Sequence, residues 1–209
     1  MPDTNDLLLF VGAGLLLNIT PGPDVRYIVG RSLSQGRVAG VVSALGIAAG
    51  CLVHIAAAAF GLSALMLALP MAYDLVRYAG AAYLVWLGVR ALRAAPVGRG
   101  VDAPPPVPLG RIFRQGMLTN LLNPKVAVFF LAFLPQFTDA SRGPLPLQFL
   151  LLGSIFVVNG TVVCLAYALA GSWLGGWLGA RSGASAWLNR TMGGLFIALG
   201  LRLALGDRR

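Results

Sequence analysis

Six apolar blocks, each long enough to approach or cross a hydrocarbon core, leave this chain few folds to choose from. They cover 6–30, 38–69, 71–93, 112–137, 147–178 and 185–205. A membrane-crossing helix needs about 20 consecutive, mostly apolar residues. In lipid every backbone N–H and C=O must find a partner without help from water, so such blocks are read as helices. Charge is correspondingly scarce: 57% of residues are apolar, 11% are charged, and the mean hydropathy is +0.79. A soluble domain carries about 25% charged residues. The expected fold is an all-α membrane protein with six transmembrane helices, and its first partner is the lipid bilayer.

The net charge of +9 does not argue for nucleic acid. The arginines sit between apolar blocks instead of forming one basic face, which is the pattern of cytoplasmic loops. Segments after the first, third and fifth blocks hold Arg31, Arg37, Arg90, Arg93, Arg99, Arg111, Arg114 and Arg181. Segments after the second and fourth hold Asp74, Arg77, Asp139 and Arg142, whose charges cancel. The Arg-rich side is therefore expected to be cytoplasmic and both termini periplasmic or extracellular, although Arg208-Arg209 argues the other way. The acidic start, 1–6, lacks the basic region of a cleaved signal peptide. One histidine and two distant cysteines give no metal-ligand spacing. With no G-x-x-x-x-G-K-[ST], ATP hydrolysis is not expected either. The chain reads as no enzyme and needs no cofactor; any transport runs on an ion gradient or downhill.

A linker at 94–110, containing Pro104-Pro105-Pro106 and Pro108, is stiff or disordered by composition. It divides one transporter domain, 1–209, into a first repeat at 6–93 and a second at 111–206. The third block reads Arg77-x-x-Gly80-x-x-Tyr83, then Gly88-x-Arg90; the sixth reads Arg190-x-x-Gly193-x-x-Phe196, then Gly200-x-Arg202. The offset of the first part also carries Cys51 onto Cys164. Repeats with an odd number of spans lie inverted in the membrane, a symmetry that suits alternating access.

Within this frame two helix breaks stand out. Asn18-Ile19-Thr20-Pro21-Gly22-Pro23-Asp24 interrupts the first block, and Asn120-Leu121-Leu122-Asn123-Pro124-Lys125 interrupts the fourth. Each proline removes a donor and frees the carbonyl four residues earlier: those of Leu17, Ile19 and Asn120. Such groups, and a charge beside each break, cannot face lipid. Paired breaks in matching blocks point to a transporter's binding site. Lys125 is the only lysine among sixteen lysines and arginines, and an ammonium adapts to burial where a guanidinium stays charged. Asp24 and Lys125 are thus expected to face one cavity, or each other. Asn18, Thr20, Pro21, Gly22, Pro23, Asn123 and Pro124 complete the candidate site, with His54 as a proton carrier or a packing histidine.

Plainer readings stand beside these. A second, less favoured reading makes Asp24 an interfacial cap at the end of the broken first helix, with Arg26 nearby. Asn159 is a further polar residue in the fifth block. Gly36-x-x-x-Gly40, Gly46-x-x-x-Gly50 and Gly171-x-x-x-Gly175 read as close helix packing. Cys51 and Cys164 read as buried apolar residues or as a transmembrane thiol-disulfide conduit, and an uncoupled channel is a third class.

Thr20-Pro21-Gly22-Pro23-Asp24, Arg31-Ser32-Leu33-Ser34-Gln35-Gly36, Gly80-Ala81-Ala82-Tyr83-Leu84-Val85-Trp86-Leu87-Gly88 and Asn123-Pro124-Lys125 occur in an order that resembles the lysine-exporter/homoserine-threonine-resistance (LysE/RhtB) family. The similarity covers essentially the whole chain. It implies a bacterial inner-membrane exporter of amino acids or close derivatives, with protons as coupling ion, and leaves the substrate and any homo-oligomer open. The Pro-Gly-Pro-Asp and Asn-Pro-Lys motifs carry over onto Pro21 to Asp24 and Asn123 to Lys125 without departure.

Overall fold

The computed structural model describes residues 4–20, 22–93, 104–180 and 182–205. Among them every regular element is helical. α1 (Thr4–Ile19) stops where the two prolines withdraw their donors. α2 (Pro23–Ala56) restarts with proline in its first turn, where the missing N–H is not needed. A π-helical turn, Ala57–Leu62, and α3 (Ser63–Ala68) prolong it, and α4 (Pro70–Arg93) follows. Beyond the coil at 104–108 come α5 (Leu109–Leu121) and α6 (Pro124–Val128). A π turn, Phe129–Phe133, and a 3-10 turn, Leu134–Phe137, extend α6. A second 3-10 turn, Ala140–Arg142, leads into α7 (Leu145–Ala180), and α8 (Ser182–Leu205) is the last helix.

α2 is two limbs, 23–35 and 37–56, joined at Gly36 with φ 80° and ψ −178°. That backbone region is open to glycine almost alone. In a straight helix residues 32 and 40 would stand about 12 Å apart. Instead a Cβ on Gly40 would overlap Ser32 Oγ, so the second limb folds back along the first. The reading of Gly36 as a packing glycine is thereby corrected: it has open space around it and makes the turn. Gly40, Gly46, Gly50 and Gly171 do pack closely, whereas the side-chain environment of Gly175 lies outside the described residues.

Three stretches among the described residues are long and apolar enough to cross a membrane: Pro23–Met66, Asp74–Arg93 and Leu145–Gly171. Leu109–Leu121 with Pro124–Phe137, bent by 48°, makes a fourth if taken as one span. Asp6–Ile19 and Phe196–Leu205 are apolar but shorter.

Lipid is as apolar as a leucine side chain, so these helices associate by close packing instead of by escape from water. α2 lies on α5 and α7, and α4 lies on α8. A Cβ on Gly116 would stand 2.8 Å from the Ser43 carbonyl, and one on Gly88 2.6 Å from that of Gly193. Backbones meet there because nothing larger than hydrogen intervenes. Arg77, counted with the segment after the second block but falling within the third, is buried in α4, where its Nε donates to the Leu203 carbonyl of α8 at 2.7 Å. Arg31 is likewise a buried helical residue.

The described end of the proline-rich segment is held in place. Gln35 Nε2 donates to the Val107 carbonyl at 2.8 Å and its Oε1 accepts from Val107 N at 2.9 Å. Arg31 donates to the Pro105 carbonyl and to Gln115 Oε1, both at 2.9 Å. The remainder of that linker, 94–103, lies outside the described residues.

Candidate functional site

At the first break the freed carbonyls do not go unpaired. Lys125 Nζ donates to Leu17 O at 2.9 Å and to Thr20 O at 3.1 Å. Tyr167 on α7 donates its hydroxyl to Ile19 O at 2.8 Å. At the second break His54 Nε2 stands 3.3 Å from Asn120 O. A carbonyl only accepts, so this contact requires the proton on Nε2. Asn120 O also accepts from Asn123 N at 2.9 Å. All three carbonyls released by proline are thus met, each by a side chain from another part of the fold and, at Leu17 and Asn120, by a nearby backbone N–H as well.

The breaks set the charges in register. Asp24 lies in the first turn of α2, where the helix dipole favours an anion. The N-cap of α2 is Gly22, which offers no side-chain bond of its own. Asp24 Oδ2 accepts from Asn120 Nδ2 at 2.9 Å, and its buried Oδ1 has no partner. Lys125 lies in the first turn of α6, whose start is capped by Asn123 Oδ1 accepting from Lys125 N at 3.1 Å. Its ammonium is carried to the carbonyl end of α1, the end that attracts cations. Asp24 and Lys125 do not pair with each other; each is engaged elsewhere.

Both nevertheless border one cavity of about 490 Å³, counting its mouth, whose lining includes Asn18, Asn120, Phe156, Thr161, Cys51 and Cys164. The chamber is walled by the second limb of α2 and by α7, through Ala44, Ile47, Ala48, Val157 and Gly160. Toward the end of the bundle where α1 begins lies an aromatic cluster that includes Phe10, Phe129, Phe130, Phe133 and Phe156. Phe129 stacks on Phe156 at 4.3 Å between ring centroids. On the other side is a smaller cluster of Ile28, Ala44, Ile47, Cys164 and Ala168.

Of the sequence candidates, Asp24, Lys125 and Asn18 border the chamber. Gly22 backs Lys125, for a Cβ there would stand 3.2 Å from Nζ. Thr20 is buried, with Oγ1 donating to Leu16 O at 2.6 Å. Asn123 and Pro124 start α6, and Pro23 starts α2. His54 stands behind the second break, stacked on Phe130 at 5.8 Å, and neither it nor Asn159 belongs to the chamber lining. Pro21 lies outside the described residues. Sequence reasoning missed the side chain of Asn120, and with it Thr161, Gly160 and Tyr167. A polar residue deep in an apolar block was the available signal for Asn120 and Thr161; Gly160 and Tyr167 carried none.

Apolar helices, two helix breaks and a chamber bordered by opposite charges describe a helical membrane protein. Residues 15–207 match the LysE type translocator family. The chain belongs to that family. It is 33% identical over 189 residues to the homoserine/homoserine lactone efflux protein of Salmonella typhimurium, covering 90% of this chain and 91% of that one. It is 28% identical over 195 residues to the leucine efflux protein of Salmonella choleraesuis, covering 93% and 92%. An uncharacterized membrane protein of Vibrio cholerae is 29% identical over 202 residues, covering 97% and 98%. No solved structure matches the chain. The two Salmonella relatives are efflux proteins and not enzymes, as expected of this chain.

Proposed function

We propose that this protein exports an amino acid with an uncharged side chain from the cytoplasm across the inner membrane, in exchange for protons. The observation that carries this reading is that Asp24 and Lys125 border one chamber without neutralising each other. A zwitterion needs an acceptor for its ammonium and a cation for its carboxylate, and these two residues supply one of each. Among the described residues no other charged side chain lines the chamber. A charged side chain on the substrate would be left there without a partner, a costly arrangement for a buried ion. Relatives named for homoserine and leucine efflux support the same reading.

In this mechanism Asp24 is ionised when substrate binds from the cytoplasm and protonated on the return, so that proton entry drives export. The chain crosses the membrane six times, with α1 and the limb 23–35 forming the first span and the limb 37–56 with α3 the second. α4, the bent α5–α6 pair, α7 and α8 are the others, in two inverted three-helix repeats with both termini outside. The packing of α4 on α8, the third helices of the two halves, supports that pairing.

The test is exchange in proteoliposomes carrying an imposed proton gradient, with L-leucine and L-homoserine as labelled substrates. Wild-type protein should concentrate one of them against its gradient. Asp24→Asn should lose gradient-driven uptake while still exchanging substrate for substrate. Proton-driven antiport by Asp24→Asn would sink the coupling role, and transport by the wild type indifferent to the gradient would mark a channel.

A further inference from the structure

Four polar groups that border the chamber keep unspent hydrogen-bonding capacity, and they sort by sign into two pairs; a further buried orphan, Asn123 Nδ2, is not part of the lining. Asp24 Oδ1 and Asn120 Oδ1 are buried acceptors without partners. They are held side by side, because Asn120 Nδ2 donates to Asp24 Oδ2 at 2.9 Å. That bond also fixes which way the amide points, since a carboxylate draws its nitrogen and leaves its oxygen free. The second pair consists of donors. Asn18 Nδ2 is buried and unpartnered. Lys125 Nζ has three N–H groups, of which two are used on Leu17 O and Thr20 O. Both donors belong to one place, for Asn18 follows the residue whose carbonyl Lys125 holds.

Buried polar groups are almost always paired, and each exception asks for a cause. Orphans of both signs around one chamber describe the shape of what is missing. Local packing also makes room for one of them: a Cβ on Gly160 would stand 3.2 Å from both terminal atoms of the Asn18 amide. A larger residue on α7 would press Asn18 out of place.

We infer that the two amides determine how the substrate is seated. Asn120 Oδ1, beside Asp24, accepts from the substrate ammonium, while Asn18 Nδ2, beside Lys125, donates to its carboxylate. This inference rests on the amino-acid reading above and adds the residues that orient the zwitterion. A charge attracts from any direction; an amide selects a group in one direction. The amides therefore let the site refuse an amine that lacks a carboxylate, or an acid that lacks an ammonium.

The experiment is equilibrium binding to full-length protein in nanodiscs, read as competition against labelled L-leucine or L-homoserine, whichever the wild type binds. For leucine the competitors are 3-methylbutylamine, which lacks the carboxylate, and 2-hydroxy-4-methylpentanoate, which lacks the ammonium. For homoserine they are 3-amino-1-propanol and 2,4-dihydroxybutanoate. Asn18→Ala should weaken the amino acid about ten-fold or more, equivalent to about 1.4 kcal/mol, and leave the amine unchanged. Asn120→Ala should weaken the amino acid similarly and leave the hydroxy acid unchanged. If either alanine variant fails to fold, the serine variant at the same position reads the same split. Amino-acid affinity within about three-fold of wild type in either variant, or parallel loss of all three ligands, would overturn the assignment. A wild type that binds neither amino acid would overturn the export reading itself, which separates the two failures.

Discussion

The three carbonyls released by proline show how a break becomes a site. Leu17 and Ile19 are met by Lys125 and Tyr167, and Asn120 by His54. Which carbonyls would be orphaned was legible in the sequence, because it follows from counting back from each proline. Which side chains meet them was not, since the partners lie on distant helices and no local pattern marks them. A lipid-embedded carbonyl that loses its partner has no water to turn to, although measured interhelical hydrogen bonds average only about 0.6 kcal/mol. Tyr167→Phe should therefore lower stability by roughly 1 kcal/mol, read from unfolding of the purified protein in bilayers. Substrate affinity should hold, because Tyr167 does not border the chamber. Lys125→Met removes two carbonyl bonds and a charge, so both stability and affinity should fall. Lys125→Arg should not rescue, because a planar guanidinium does not reproduce the two bonds that a compact ammonium makes to the Leu17 and Thr20 carbonyls. Undiminished substrate affinity in Lys125→Met would rule out carboxylate capture.

At the scale of elements, the turn at Gly36 decides whether α2 contributes one wall to the chamber or two. Its first limb carries Asp24 and Val25, and its second carries Ala44, Ile47, Ala48 and Cys51. The turn lies in one of the motifs that carry the family resemblance, yet sequence gave it a packing role, because a φ of 80° leaves no trace in residue spacing. Gly36→Ala should cost about 1–3 kcal/mol, the range for backbone held in a rarely populated region, as measured by thermal unfolding. An unchanged midpoint would mean that the limbs can turn elsewhere. Beside this turn Arg31 and Gln35 hold the coil at 104–108 against α2 and α5. Composition described that segment as stiff or disordered but could not show what fastens it. Releasing it with Arg31→Ala plus Gln35→Ala should speed protease cleavage at 104–108 several-fold with the rest of the chain intact, scored by gel. Equal cleavage rates would show that the proline coil is rigid by itself.

For the molecule as a whole, the arrangement of seals around the chamber bears on direction. Toward the start of α1 the chamber is backed by the large aromatic cluster, and toward the Gly36 turn by the smaller one. The apolar blocks and the two breaks were legible because composition and proline act locally. The placing of these seals was not, since it depends on how α1, α6 and α7 converge. Cys51 and Cys164, one from each half, offer a direct probe because both border the chamber. If the Gly36 turn faces the cytoplasm, a water-soluble maleimide should modify the thiols in inside-out vesicles and much more slowly in right-side-out vesicles. The transported amino acid should protect them. Weakening the aromatic seal with Phe129→Ala should reduce this sidedness, because Phe129 stacks on Phe156, which itself lines the chamber. Equal labelling from both sides in the wild type would mean that the aromatic cluster does not close the path. Transport that survives Cys51→Ser with Cys164→Ser would further separate the thiols from the mechanism, leaving them as wall residues of the chamber that Asp24 and Lys125 border.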